Sequence, residues 1–298
     1  MQTFKYKKID AFATKNSDGN PAGYVYLQEG QTITANEMQR IAREQRGAVN
    51  EVGFVRRKSE SAFDLKFYSA EREVDFCGHA TIAIMYALLR NDAAARLHQV
   101  LTITTNRGTL SVFNHVEKED AVFIVSPIPQ HIDHVPAVGL IAEALRVRPT
   151  DIDCRFPVKI INAGLTTLLV PITTLDAILA ITPDLDQLKS FCVAHAIDII
   201  EVFTADVALM GSDYRARVFA PTFGYLEDPA TGSGNSAFGY YLLSLALWQG
   251  KALSIEQNDQ RERCNVVKLR TMTDEDGQER VLFGGGAITR IDGSYFLY

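Results

Sequence analysis

The sequence lacks several patterns, and each absence excludes a class of protein. Its four cysteines are scattered and form no CxxC pair, so neither a zinc site nor a disulfide framework is predicted. It has no basic run and a net charge of −6, which argues against nucleic-acid binding. Its most apolar stretch, residues 237–248, is shorter than the about 20 residues that cross a membrane. We therefore expect neither nucleic acid nor membrane as a partner.

Two further absences concern targeting and cofactors. The first residues, MQTFKYKKIDAF, carry charges where a signal peptide has its apolar core, so we expect a cytoplasmic protein. The triple glycine at 284–286 precedes no predicted helix, which excludes a phosphate-binding loop and a dinucleotide fingerprint. No cofactor and no metal is predicted.

The composition that is present describes a globular protein. Of its residues, 47% are hydrophobic and 22% are charged. Its length of 298 residues is enough for two domains of about 150 residues each. The best linker is Ser126–Pro136, with three prolines. We predict an N-terminal lobe over 1–126 and a C-terminal lobe over 127–286. A last strand, at about 287–298, is expected to cross back to the first lobe.

The most informative stretch is Glu227–Trp248. It begins as a polar, glycine-spaced loop, and residues 237–248 are then apolar on nearly every face. Thr, Ser and Asn favour helix N-termini, so the loop should lead into a helix. A helix that is apolar all round is buried. Its first N–H groups, together with the helix dipole, would then form a site for a carboxylate or phosphate.

A second stretch repeats this design. Residues 75–89 read DFCGHATIAIMYALL, a short Gly–His turn followed by an apolar run. Gly78 and Gly232 lie 154 residues apart, and Glu73 and Glu227 each precede them by five. We interpret this as an internal duplication, although chance similarity between two buried helices is the alternative. The prediction is an α+β fold of two similar lobes, each with a sheet curled around its helix and both helix N-termini facing a cleft.

Glu51 is the carboxylate that stands out in the first half. It interrupts the apolar strand signal GAVNEVGFV at 47–55. A carboxyl group in apolar surroundings suits acid–base chemistry. An exposed side chain on an alternating strand is the other interpretation, and the pattern alone leaves both open.

Several motifs together resemble the phenazine-biosynthesis isomerase-like (PhzF-like) family along nearly the whole chain. The motifs are GNPAG at 19–23, NEVGFV at 50–55, EVDFCGHATIA at 73–83, VFAP at 218–221 and EDPATGSG at 227–234. CGHAT and EDPATGS are specific for this family only when both occur in one sequence. The resemblance implies two pseudo-symmetric diaminopimelate-epimerase-like lobes, each a rolled sheet or barrel around a central buried helix, and a homodimer.

The resemblance also implies roles for individual residues. Glu51 matches the acid–base glutamate of the family. The residues implied to hold the substrate are His79, Asp228, Ser233, Gly78, Gly232, Gly234 and Asn20. Among them, the N–H groups of the glycines would bind a carboxylate or enolate oxygen. The chain departs from the family pattern at Asn50 (Ser in the family), Ala70 (commonly Pro) and Gly234 (more often Ala).

Cys77 and Thr231 raise an alternative chemistry. In the related diaminopimelate epimerases and proline racemases, a cysteine before the glycine of each half acts as base or acid. Here the first half has Cys77 but the second has Thr231, a poor base. Racemisation by two thiols is therefore disfavoured, and Cys77 is interpreted as a small buried residue.

Three functions remain in competition. The leading hypothesis is a cofactor-independent isomerase of a small amino- or hydroxy-substituted carboxylic acid, with Glu51 shuttling a proton in the cleft. The second is an epimerase- or dehydratase-like reaction that uses Cys77 with Thr231. The third is a non-catalytic protein that binds small molecules in the same cleft.

Overall fold

The computed structural model describes residues 1–298 and has a mixed α/β fold with eight helices and eighteen strands. The helices are α1 (Ala35–Glu44), α2 (Gly78–Asn91), α3 (Ala93–Arg96), α4 (Val116–Glu119), α5 (Val138–Leu145), α6 (Leu175–Leu179), α7 (Leu185–Ala194) and α8 (Gly232–Ser244). The strands are β1 (Gln2–Ala11), β2 (Asn20–Leu27), β3 (Glu51–Arg57), β4 (Ala62–Ser69), β5 (Glu73–Val74), β6 (Val100–Thr105), β7 (Gly108–His115), β8 (Ala121–Val125), β9 (Gln130–Ile132), β10 (Lys159–Asn162), β11 (Thr166–Pro171), β12 (Ile199–Thr204), β13 (Tyr214–Phe219), β14 (Glu227–Asp228), β15 (Leu253–Gln257), β16 (Asn265–Thr273), β17 (Glu279–Gly285) and β18 (Ala287–Leu297). No helix combines the length and the hydrophobicity needed to span a membrane.

The chain forms two compact units. The first unit contains Met1–Val125 and Gly284–Tyr298, and the second contains Ser126–Phe283. Within the first unit, β18 pairs antiparallel with β1 along its whole length, from Gln2 opposite Leu297 to Ala11 opposite Ala287. The two ends of the chain therefore lie side by side.

The two units repeat one succession of strand pairings. In the first unit β1–β2 is antiparallel, β2–β3 parallel, β3–β4 and β4–β5 antiparallel, β4–β6 parallel and β6–β7 antiparallel. The second unit has the same six pairing directions in the same order, in the pairs β10–β11, β11–β12, β12–β13, β13–β14, β13–β15 and β15–β16. Glu73 and Glu227 each begin the shortest strand, and Gly78 and Gly232 each begin the helix that follows. This agreement supports the predicted internal duplication.

The helix of each repeat is buried, as its apolar sequence predicts. In α2, every residue from Ala80 to Leu89 is buried. In α8, every residue from Gly234 to Leu242 is buried. The strands β1, β2, β3, β8 and β18 pack against α2, and β10, β11, β12 and β16 pack against α8, so neither helix needs a polar face for solvent.

The second buried helix begins and ends earlier in the sequence than its apolar pattern predicts. The apolar pattern placed the helix over 237–248, whereas α8 spans Gly232–Ser244. It starts earlier, at Gly232, and the N–H group of Asn235 donates to the carbonyl of Thr231 in its first turn. It ends earlier because Ala246 adopts a positive φ of 55°.

The remaining helices agree more closely with their sequence signals. Thr34 caps α1 in a capping box with Glu37, as the Thr before the periodic residues predicts. In the second unit, the apolar patterns at 138–145, 175–180 and 185–194 predict helices, and α5, α6 and α7 lie at these positions. One correction concerns the predicted linker at 126–136, where β9 pairs antiparallel with β10.

Candidate active site

Three reactive side chains meet in the first unit. Glu51 is the first residue of β3, and Cys77 and His79 flank the first residue of α2. The Nε2 atom of His79 lies 3.3 Å from Oε2 of Glu51. The Sγ atom of Cys77 lies 3.7 Å from the same oxygen and 3.4 Å from Nδ1 of His79. The structure thus brings together the start of a strand and the N-terminus of the buried helix.

The burial of this cluster suits proton transfer. The side chains of His79 and Glu51 are 14% and 21% exposed, and Cys77 is buried. A small molecule can still reach the two groups, while little water surrounds them. Glu51 therefore does not point into bulk solvent, which was the alternative interpretation of its strand. A carboxylate in this position can accept a proton, and the N–H groups at the helix N-terminus can stabilise negative charge that develops beside them.

Cys77 has a different setting from the one expected. It is buried, as predicted, but its thiol contacts both other members of the cluster. It also occupies the position before α2 without capping an N–H group. A thiol, an imidazole and a carboxylate are all zinc ligands, and one such atom from each residue lies within 4.8 Å of the others. Assays of this site therefore need a chelator control.

Asn20 and Asn50 lie next to the cluster. The Nδ2 atom of Asn50 is 3.3 Å from Oδ1 of Asn20, and the N–H group of Asn50 donates to the carbonyl of Pro21. These two bonds hold Asn50, the residue before Glu51, against the start of β2. Asn20 is 1% exposed, so its clearest contact is with this segment. Its role in binding a substrate stays a prediction.

A hydrogen-bond network surrounds the start of α8 in the second unit. Thr231 Oγ1 donates to Oδ2 of Asp228 at 2.5 Å. Thr231 precedes α8, yet its side chain caps no N–H group of the helix. The loop leads into α8 as predicted, but the oxygen of the Thr231 hydroxyl accepts a hydrogen bond from Gln257 and none from an N–H group of the helix.

Gln257, at the end of β15, organises this network, and the sequence analysis missed it. Its Oε1 atom accepts from the N–H of Thr231 at 3.0 Å and from Nδ2 of Asn235 at 2.7 Å. Its Nε2 atom donates to the carbonyl of Asp228 at 2.9 Å and to Oγ1 of Thr231 at 3.1 Å. One buried amide therefore fixes both the Asp228 segment and the first turn of α8.

The first turn of α8 leaves one side chain partly accessible. Ser233 is half-buried, whereas Gly232, Gly234 and Asn235 are buried. At Gly232 the ring of Phe283 occupies the space of a side chain, since an added Cβ would lie 2.2 Å from Cε2. Packing therefore favours glycine at this position.

Comparisons with known proteins show consistent relatives. Residues 9–293 match the family described as "Phenazine biosynthesis-like protein". The chain is 28% identical to "Uncharacterized isomerase YfhB" of Bacillus subtilis, with 97% of each chain covered. It is 27% identical to "Trans-2,3-dihydro-3-hydroxyanthranilate isomerase" of Pseudomonas chlororaphis, with 95% of this chain and 96% of that one covered. The crystal structure of the Bacillus anthracis "phenazine biosynthesis protein, PhzF family" has a TM-score of 0.87, 24% identity and full coverage of both chains.

Proposed function

Because the chain belongs to the phenazine biosynthesis-like protein family, we propose that it is a cofactor-independent isomerase of a small carboxylic acid. The observation that carries this proposal is the contact of Glu51 with His79 at the N-terminus of α2. An isomerase of this kind removes a proton from one atom of the substrate and returns it to another. A single carboxylate can perform both steps, which requires neither metal nor redox partner.

Glu51 is the proton shuttle in this proposal. Its carboxylate accepts the substrate proton, and His79 orients the carboxylate through the 3.3 Å contact. Acid–base catalysis by one group supplies roughly 10²–10⁴-fold. The N-terminus of α2 stabilises the negative charge that develops on the substrate, which is the larger contribution in many enzymes.

The first turn of α8, in the second unit, carries groups that can bind a carboxylate. Ser233 and the N–H groups of Gly232 and Gly234 lie in the first turn of α8. Asp228, held by Thr231 and Gln257, accepts a hydrogen bond from an amino or hydroxyl substituent. The substrate class is therefore an amino- or hydroxy-substituted carboxylic acid. The Pseudomonas chlororaphis relative is named a trans-2,3-dihydro-3-hydroxyanthranilate isomerase, and that compound belongs to this class.

The architecture that accompanies this proposal is two pseudo-symmetric diaminopimelate-epimerase-like lobes, each a rolled sheet around α2 or α8. The repeated strand pairings and the burial of both helices support it. The lobe boundaries at 126 and 286, the homodimer and the cytoplasmic location stay predictions.

Deuterium uptake tests the proposal directly. The protein is incubated in D₂O with a pool of small amino, hydroxy and unsaturated acids, with and without a chelator. Mass spectrometry and NMR then follow exchange and rearrangement. We expect one compound to gain deuterium at a single carbon at a rate that the chelator does not change. Tight binding of a pool member without exchange would instead favour a non-catalytic binding protein.

The reaction that uses Cys77 with Thr231 is the second candidate, because the Cys77 thiol contacts Glu51 and His79. Thr231 disfavours it, since its hydroxyl already donates to Asp228. We predict that Cys77→Ala keeps most of the deuterium exchange of the wild type. Iodoacetamide should still inhibit the wild type, because the group that it adds to the Cys77 thiol fills the site. Cys77→Ala treated with iodoacetamide is the control and should stay active. Loss of all exchange in untreated Cys77→Ala would establish the thiol chemistry.

A further inference from the structure

Glu201 is a buried carboxyl group that the proposed mechanism does not use. It lies on β12 with none of its surface exposed, and neither of its oxygens has a hydrogen-bond partner. Burial raises the pKa of this group well above its usual range. An unpartnered polar group in a protein interior is costly, and such groups concentrate at functional sites.

The strand pairing places Glu201 beneath the start of α8. Leu169, Glu201, Val218 and Asp228 are successive partners across β11, β12, β13 and β14. Partners in one row share a face of the sheet, and neighbouring strands are about 4.8 Å apart, so Glu201 and Asp228 are roughly 10 Å apart. Val218, between them, reaches within 3.4 Å of the position of a Cβ at Gly234. The row therefore faces the first turn of the helix.

Glu201 and Gly234 fit each other closely. A Cβ at Gly234 would lie 2.5 Å from Oε2 of Glu201, so the glycine makes room for the carboxyl group. This accounts for one departure from the family pattern, the replacement of Ala by Gly at 234. In the first unit, the position that corresponds to Glu201 by strand pairing is Gly53, and Ile84 of α2 fills the space there. The second unit has replaced that apolar contact with a carboxyl group.

We infer that Glu201 stays protonated in the active protein and that its proton sets the affinity of the first turn of α8 for an anion. A neutral carboxyl group leaves the positive end of the helix dipole available to a ligand. An ionised Glu201 would oppose that dipole and repel the ligand. The inference rests on the proposed function, in which the anion is the carboxylate of the substrate. Glu201 acts through the helix and is a positioning residue, not a catalytic one.

The surroundings of Glu201 contain few other charges that could produce the same effect. Its row partners on β11 and β13, Leu169 and Val218, are apolar, and residues 232–235 of α8 carry no titratable side chain. Asp228, on β14, is the titratable group in the same row. An ionised group on the order of 10 Å from a bound anion would, at an effective dielectric constant of ~20, lower the affinity on the order of tenfold. The affinity is high below the pKa of Glu201 and falls as the pH rises through it.

Anthranilate, a fluorescent amino-substituted carboxylate, is the probe for this inference. Its affinity for the wild type and for Glu201→Gln is measured from neutral to alkaline pH, with calorimetry in two buffers to count protons. We expect the wild type to lose on the order of tenfold in affinity and to take up protons on binding at alkaline pH. Glu201→Gln should bind equally at all these pH values without proton uptake. Glu201→Met serves if the Gln variant does not fold, and Glu143→Gln, at an exposed position of α5, is the control.

Infrared spectroscopy adds a readout that needs no ligand. At neutral pH the wild type should show the C=O band of a protonated carboxyl group that Glu201→Gln lacks. Absence of this band, or one pH profile of binding for both proteins, would overturn the inference and leave the isomerase proposal intact. Failure of both proteins to bind anthranilate at any pH would overturn the anion site itself, together with the inference.

Discussion

Replacing Glu51 by Gln should lower the rate of deuterium exchange by at least about 10²–10⁴-fold. The amide has the size of the carboxyl group and can keep its place beside His79 and Cys77, but it cannot carry the proton. The Glu51 side chain is 21% exposed, and a Gln amide of the same size can keep the contact with His79, so the variant should fold normally. Exchange is measured by NMR, and thermal unfolding is followed by circular dichroism.

Glu117→Gln is the matched control for this prediction. Glu117 lies on α4 of the same unit, and its side chain is 65% exposed beside Arg96. An exposed pair of this kind contributes about 0–1 kcal/mol to stability and nothing to the reaction. Glu117→Gln should therefore exchange deuterium like the wild type. Full exchange in Glu51→Gln would show that another group moves the proton.

Arg215→Met should destabilise the second unit by roughly 3–5 kcal/mol. Arg215 and its partner Glu256 are both completely buried, and the guanidinium donates to Oε2 of Glu256 at 3.1 Å. It also donates to the carbonyls of Asn258 and Gln260, at 2.7 and 2.8 Å. Removing it leaves a buried carboxylate and two carbonyls without this donor. Urea unfolding of the purified variants measures the loss.

Two further variants isolate the cause of this loss. Arg148→Met removes an arginine that is 81% exposed and paired with Asp151, and it should cost no more than about 1 kcal/mol. Arg215→Met combined with Glu256→Gln removes the uncompensated charge and should recover part of the stability. If Arg215→Met unfolds at the same urea concentration as Arg148→Met, the buried pair does not stabilise the fold.

The parts of the fold that the sequence could predict are those with local signals. The polar turns before Gly78 and Gly232 and the apolar runs after them predicted two buried helices, because a helix that is apolar on every face has to be covered. Thr34 predicted the start of α1 through its capping pattern. Helix ends were less predictable: the apolar run continues to Trp248, but the backbone at Ala246 ends α8 before it.

The residues of the candidate site also differ in how well the sequence predicts them. Glu51 and His79 are identifiable from their motifs, and the structure places them in contact. Gln257 could not be identified, because 26 residues separate it from Thr231 and nothing in its own segment indicates a partner. Glu201, in contrast, is marked in the sequence, because it interrupts an apolar strand. It is the polar residue in the middle of a strand whose six residues are all buried, and such an interruption calls for an explanation.

The pairing of β1 with β18 constrains the order in which the two units can fold during synthesis. The ribosome completes residues 126–283 before residues 284–298 emerge, so the second unit has its whole sequence while the first still lacks its last strand. Until then β1 pairs only with β2 and presents an open edge, which is a template for pairing with other chains. Domains commonly fold in N-terminal order during translation. Here the N-terminal unit finishes last, and the nascent chain depends on its final residues to close that edge.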